Sequence, residues 1–328
     1  MTAADDRTGL EIGLNAAIVA VEDGSPQILV VTGESDAGDL DALPFGPFDP
    51  LRHRTFEIGL RDWVREQTAL DLGYVEQLYT FGDRGRHAEA GDTDHVVSVG
   101  YLALTRIAEN SEESLAAAGA RWRPWYDFFP WEDWRADRPP ILDDIILPAM
   151  VAWTTADPLA APPGRALGRR ERFRLAFGLG DAPWDEERVL DRYELLYEAG
   201  QVVEAQRDGR IDAGKALVPL GVPMRHDHRR ILATAISRLR AKLKYRPVVF
   251  ELMAPEFTLT ELQRTVEAIA GRHIHKQNFR RLVEAGGLVE PTGGLSVTTG
   301  GRPAALFRFR RDILKERPGA GLRFGQRS

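Results

Sequence analysis

The sequence predicts an α+β fold in which a strand-rich N-terminal unit, a helical connecting region and a smaller mixed unit follow one another. Three observations point to it. Strand-like and helix-like hydrophobic patterns alternate through the first 110 residues, whereas residues 185–245 carry only helical spacing. A Pro/Gly/Ala stretch at 157–168 and the breaker-rich 216–224 divide the 328 residues into expected units of 1–156, 157–224 and 225–328. The charge divides as well: residues 225–328 hold 21 Lys and Arg against 9 Asp and Glu, leaving 22 against 40 for the first 224. A basic module on an acidic chain points to a polyanionic partner for the C-terminal part alone; the alternative is that these cations only solvate helix faces.

Taken in order, the β-branched runs at 14–23 and 26–33 flank Asp23-Gly24-Ser25 and read as a hairpin. Residues 56–70 place Leu60, Trp63, Val64 and Leu70 at helical spacing, and the segments 74–83 and 95–107 return to strand patterns. The aromatic-rich 121–134, with four tryptophans, is expected to pack the core, a domain junction or a dimer contact. Residues 141–156 form a short helix, 185–205 a single amphipathic helix with acids in its first turn, and 227–246 a third. His226 and His228 could suggest a metal, but a polar helix start explains them better; His273 and His275 would point apart on a helix.

The C-terminal unit has the strongest local signals. Thr258 followed by Glu261 is a capping box, and Gly271 ends the helix it starts. A second helix opens at His275, with Phe279, Leu282 and Val283 on one face. Short strands around Gly293-Gly294 and Gly300-Gly301 complete a winged helix-turn-helix. In that arrangement the second helix enters a major groove, where Gln and Asn suit adenine edges and Arg suits guanine. The candidates are His275, Lys276, Gln277, Asn278, Arg280 and Arg281, with Arg302 at the wing tip for phosphate or the minor groove. A winged helix used for protein contacts is the alternative.

The run 61–68, Arg-Asp-Trp-Val-Arg-Glu-Gln-Thr, resembles the end of a Nudix box with its chemistry removed. That motif gathers Mg²⁺ with acids at i, i+3 and i+4 of one helix face. Here the three positions are Asp62, Arg65 and Glu66, and Thr68 stands where the motif has glycine. A cation in the middle of a divalent-metal site repels the ion, so no metal and no catalytic residue is expected. The unit then reads as a Nudix-like α/β/α sandwich that binds without cutting.

The segments "RTFEIGLRDWVREQTALDLGYVEQLYTFGDRGR", "HVVSVGYLALT" and "DHRRILATAISRLRAKLKYRPVVFELMAPEFTLTELQ" together resemble the NadQ/NrtR-type transcriptional regulators of NAD metabolism. The added helical region 157–224 makes the chain most similar to the alphaproteobacterial NadQ group. The resemblance implies a sensor domain for an NAD-related nucleotide (NAD⁺ or ADP-ribose) or ATP, no required cofactor, and a winged helix for operators of NAD genes. It places Arg54, Glu57 and Arg61 where a Nudix pocket faces a diphosphate, and Phe81, Asp83, Arg84 and Arg86 on the following loop. Arginine forks suit phosphate and an aromatic can stack a base, although each arginine could equally form a surface ion pair.

The expected protein is therefore a ligand-responsive repressor of NAD biosynthesis genes, a homodimer on double-stranded operator DNA. The rival reading is a Nudix hydrolase with an accessory DNA-binding domain, and a weaker third is a protein-binding adaptor. The acidic N-terminus and the lack of long apolar runs predict a cytoplasmic protein with no membrane contact, and the absence of cysteine excludes disulfides and thiol chemistry.

Overall fold

The computed structural model describes residues 10–33, 40–83, 95–108, 111–157, 166–296, 303–312 and 321–322. Its N-terminal sheet is built on β1 (Leu10–Glu22) and β6 (His95–Leu104), which run parallel from Leu10 opposite His95 to Val19 opposite Leu104. β1 turns at Asp23 and Gly24, both with positive φ, into the antiparallel β2 (Ser25–Gly33), so the predicted hairpin forms with a left-handed turn pair suited to its twist. β3 (Leu40–Ala42) and β7 (Ala120–Pro124) pair with β2, β4 (Phe45–Pro47) with β1, and β5 (Tyr74–Phe81) with β6.

Residues 13–20 of β1 are buried without a break, which requires cover on both sheet faces. On one face α1 (Phe56–Thr68) sets Leu60 and Val64 against Leu14, Ala16 and Ile18. On the other, Ala17, Val19, Ile28 and Val30 join a larger core with Ile231, Leu232 and Ala235 of α7 (His228–Leu243). The short α2 (Glu112–Ala117) buries Leu115 on the first face. The sandwich is thus an α/β/α arrangement whose second helical layer is lent by a helix far along the chain.

A π-helical turn at Leu142–Ile146 runs into α3 (Leu147–Ala156), and α4 (Arg169–Phe177) follows, a helix that the sequence pattern did not announce. The single helix expected over 185–205 is two: α5 (Val189–Glu198) and α6 (Val203–Arg207). Gly200 takes φ 65°, and Gln201 N–H reaches back to the Leu196 carbonyl at 2.9 Å, closing a Schellman-type end. The tryptophan-rich stretch lies at the junction: Trp125, Trp131, Phe128 and Phe129 are all fully buried between the sheet and the helices.

The C-terminal unit contains α8 (Leu259–Ala270), α9 (Lys276–Gly286) and a small sheet of β8 (Phe257–Thr258), β10 (Ala304–Phe309) and β9 (Val289–Ser296) in that order. The capping box forms as predicted, with Glu261 N–H to Thr258 Oγ1 at 3.2 Å and Thr258 N–H to Glu261 Oε2 at 2.7 Å. Gly293-Gly294 does not turn the wing. It lies inside β9, where the pairing shifts register against β10, because positive φ at Gly293 admits an irregularity rather than a hairpin. Gly300 and Gly301 lie outside the described residues. Among the described residues no helix is long and apolar enough to cross a membrane.

Candidate functional site

α9 has the two faces a reading helix needs. Phe279 and Val283 are buried and Leu282 half-buried against the unit's core, while His275, Lys276, Gln277, Asn278, Arg280 and Arg281 are all exposed. The turn before it is fixed by one carboxylate: Glu267 Oε1 accepts from Ile274 N–H at 2.8 Å and from the Gln263 amide at 2.9 Å, with His273 Nδ1 at 3.1 Å. The pitch of α9 relative to α8 is therefore set by hydrogen bonds rather than by a loose loop. Arg302 lies outside the described residues, as do Arg84 and Arg86.

The expected ligand residues of the N-terminal unit divide across the sheet. Glu57 and Arg61 ride α1 and pair with each other at 2.9 Å, and Arg61 also donates to the carbonyls of Leu72 and, at 3.2 Å, Gly73. Arg54 is exposed just before the Thr55 N-cap. Phe81 instead belongs to the core on the α7 face, with the Arg230 guanidinium 5.0 Å from its ring centroid. Asp83 is bonded to the same Arg230. Between Gln77 and Thr80 the register against β6 slips by one residue, Leu78 and Tyr79 standing where β6 has one, so the end of β5 is turned toward α7 and away from α1.

In the segment 61–68, where the sequence suggested a Nudix-box remnant, the central position is occupied by an arginine paired with its neighbours. Arg65 pairs with Asp62 at 3.4 Å and with Asp71 at 2.9 Å, and Ala69 takes the left-handed turn (φ 57°) where the motif would have its glycine nearby. Among the described residues no group of three His, Asp or Glu side chains could hold a metal. His228 serves the fold instead, accepting the Leu43 N–H at Nδ1 (3.0 Å) and meeting Phe45 edge-on.

Sequence reasoning missed the residues that join the two units. Arg230 of α7 reaches Asp83, Glu194 of α5 (2.6 Å) and Asp227 (3.1 Å). Near the other end of α7, Lys242 bonds Glu76 and, at 2.9 Å, the Tyr74 hydroxyl. Burial opposes the Lys242 charge, but these partners outweigh it and raise its pKa above the ordinary lysine value. Both ends of β5 are thereby fastened to one helix.

Deeper in the junction, the fully buried Glu132 carboxylate takes Arg192 of α5 at 2.5 and 2.8 Å and Arg240 of α7 at 2.7 Å. Burial alone would favour the neutral acid, yet the two guanidinium charges and their hydrogen bonds hold the Glu132 carboxyl below its usual value. Arg240 also donates to the Ile269 carbonyl at 2.9 Å, the Tyr126 hydroxyl to that of Ala268 at 2.7 Å, and Trp134 N–H to that of Gly271 at 2.7 Å. These bonds clasp the C-terminal end of α8, directly before the turn that aims α9. No pattern within one segment could reveal them, since the partners are separated by 60 and 108 residues.

Comparison with known proteins bears on the fold and on the C-terminal unit. Residues 249–309 match the NrtR DNA-binding winged helix domain. A curated relative, the ADPR responsive transcriptional repressor NtrR of Acinetobacter baylyi, is 41% identical over 90 residues, which are 27% of this chain and 36% of that protein. The chain thus matches little more than a third of that relative's length. Over 95% of its length the chain superimposes on 98% of Shewanella oneidensis NrtR complexed with a 27mer DNA, with a TM-score of 0.55 and 20% identity. The DNA-free structure of the same Shewanella protein gives 0.52 at 21% identity, covering 92% of this chain and 94% of that one. The chain therefore shares the overall fold of those NrtR structures, and its C-terminal unit matches the NrtR winged helix domain.

Proposed function

We propose that this chain is a nucleotide-responsive transcriptional repressor whose C-terminal unit reads double-stranded operator DNA and whose Nudix-like domain holds the effector without hydrolysing it. The observation that carries this is α9, a helix with a buried apolar face, an exposed Gln277-Asn278 pair and three exposed basic neighbours, Lys276, Arg280 and Arg281, beside the exposed His275. In our reading Lys276, Arg280, Arg281 and the wing's Arg302 supply phosphate and base contacts, and Gln277 and Asn278 read bases. The name of the Acinetobacter baylyi relative favours ADP-ribose as effector over NAD⁺ or ATP. Operators of NAD biosynthesis genes are the expected targets, and a homodimer follows from two-fold operator symmetry.

Arg54, Glu57 and Arg61 on one sheet face remain the proposed diphosphate contacts. Phe81 and Asp83, joined to Arg230, act in this reading as the link from the sensor to α7, and Arg84 and Arg86, which lie outside the described residues, remain proposed ligand contacts. The units 1–156, 157–224 and 225–328 then serve as sensor, connector and reader. The ion pairs of Arg65 with Asp62 and Asp71 speak against the hydrolase alternative, because they spend the carboxylates a metal would need. A ligand shifts DNA affinity only by its own preference between two arrangements of the chain. Titrating ADP-ribose, NAD⁺ and ATP into a complex with DNA from upstream of NAD-synthesis genes should release DNA with one of them. No binding to such DNA, or no change at millimolar ligand, would refute the proposal.

A further inference from the structure

A cavity of about 680 Å³ opens where the N-terminal domain meets the wing. Arg106, two residues beyond β6, contributes from the N-terminal side. Arg308 on β10, Arg311 just after it, and the segment around Phe250 contribute from the C-terminal unit. The size falls in the range of roughly 300–1,000 Å³ typical of small-molecule sites.

Its chemistry is uneven in a way that selects a ligand. Three guanidinium groups line it against one carboxylate, Glu251. Arg308 is paired with Glu290 at 2.7 Å, whereas Arg106 and Arg311 have no ion-pair partner among the described residues. Two cations without an ion-pair partner, from different units, line one hollow and favour an anion within it. The rest of the lining is apolar and already built: Phe250 and Phe309 are stacked 4.3 Å apart at 15°, and the neighbouring Phe257 and Met253 are buried in the core.

We propose that this cavity is a binding site for a nucleoside polyphosphate, with Arg106 and Arg311 clamping the phosphates and the Phe250–Phe309 wall receiving the base. Planar arginine forks give bidentate bonds to phosphate, and an aromatic wall takes a purine ring. A DNA backbone would use the cations but has no use for a concave apolar wall. The site is separate from the α1 residues proposed for the effector. Because its two cations come from different units, its ligand would tie the wing to the N-terminal domain. The binding itself does not rest on the regulatory reading.

The test is calorimetric titration of the full chain with ATP, tripolyphosphate and adenosine, without DNA, for wild type and for Arg106→Ala/Arg311→Ala. Both positions are exposed, so the replacement does not threaten the fold; the Arg106→Lys/Arg311→Lys form provides the charge-retaining control. The expected result is a binding event for ATP and tripolyphosphate that weakens at least about tenfold in the alanine variant, or about 1.4 kcal/mol. The lysine form should retain most of it. Unchanged ATP and tripolyphosphate binding in the alanine variant overturns the proposal. So does a variant that loses only DNA affinity and salt dependence, since the arginines would then be backbone contacts. Neither result bears on operator recognition by α9, which the DNA titration above tests separately.

Discussion

Replacing Glu132 by glutamine keeps its size and removes the one negative charge that compensates two fully buried arginines. The carboxylate accepts three hydrogen bonds, two from Arg192 and one from Arg240. Glutamine offers a single oxygen, and its amide nitrogen would turn donors toward a guanidinium donor. Stranding buried charge in this way costs about 3–5 kcal/mol. Arg192→Met should cost less, because it leaves Glu132 and Arg240 as a one-to-one pair. The effect should also depend on pH with a definite sign. The Glu132 pKa is lowered in the folded chain, so its contribution is complete above the ordinary glutamate value of about 4.3 and is lost as pH falls through the depressed value. Urea unfolding of the full chain, followed by the fluorescence of Trp125, Trp131 and Trp184, reports on this region directly, since the Arg192 guanidinium lies 3.9 Å from the Trp184 ring centroid. A loss under about 1 kcal/mol at pH 7, or a gap to wild type that stays constant from pH 7 to pH 3, would refute the picture of an ionised buried node.

Gln277→Ala and Asn278→Ala should each lose roughly 1–3 kcal/mol on the operator and far less on random DNA, whereas Arg302→Ala should weaken both alike and flatten the salt slope by about one; equal losses on both DNAs for the helix variants would remove α9 from the groove. Gly271→Ala should destabilise the chain by about 1–3 kcal/mol in thermal melts from backbone strain alone. Gly271 sits at φ 70°, and a Cβ there would stand 2.4 Å from the Glu132 carbonyl and 2.6 Å from an Arg240 nitrogen. A neutral result would mean that the α8 end is not clasped. With Mg²⁺ the chain should show negligible turnover of ADP-ribose, NAD⁺ or ATP; robust hydrolysis abolished by Glu66→Gln would restore the hydrolase reading.

The sequence by itself determined whatever one or two turns of chain can encode. Asp23-Gly24 carries its own turn preference, Thr258 and Glu261 cap a helix with their own side chains, and the apolar stripe of Phe279 and Val283 leaves the polar residues of α9 no face but the outer one. Gly200 was an equally local signal for the break between α5 and α6, hidden because helical spacing continues on both sides of it. Tertiary structure alone decided the rest. The division of the expected ligand residues, with Phe81 on the α7 face and Glu57 and Arg61 on the α1 face, depends on the β5 register shift, which alternation in a single strand does not reveal. The Glu132–Arg192–Arg240 node depends on three distant segments meeting out of water. Only there does low polarity make their pairing obligatory, because a charge that is harmless in solvent becomes costly when buried without a partner.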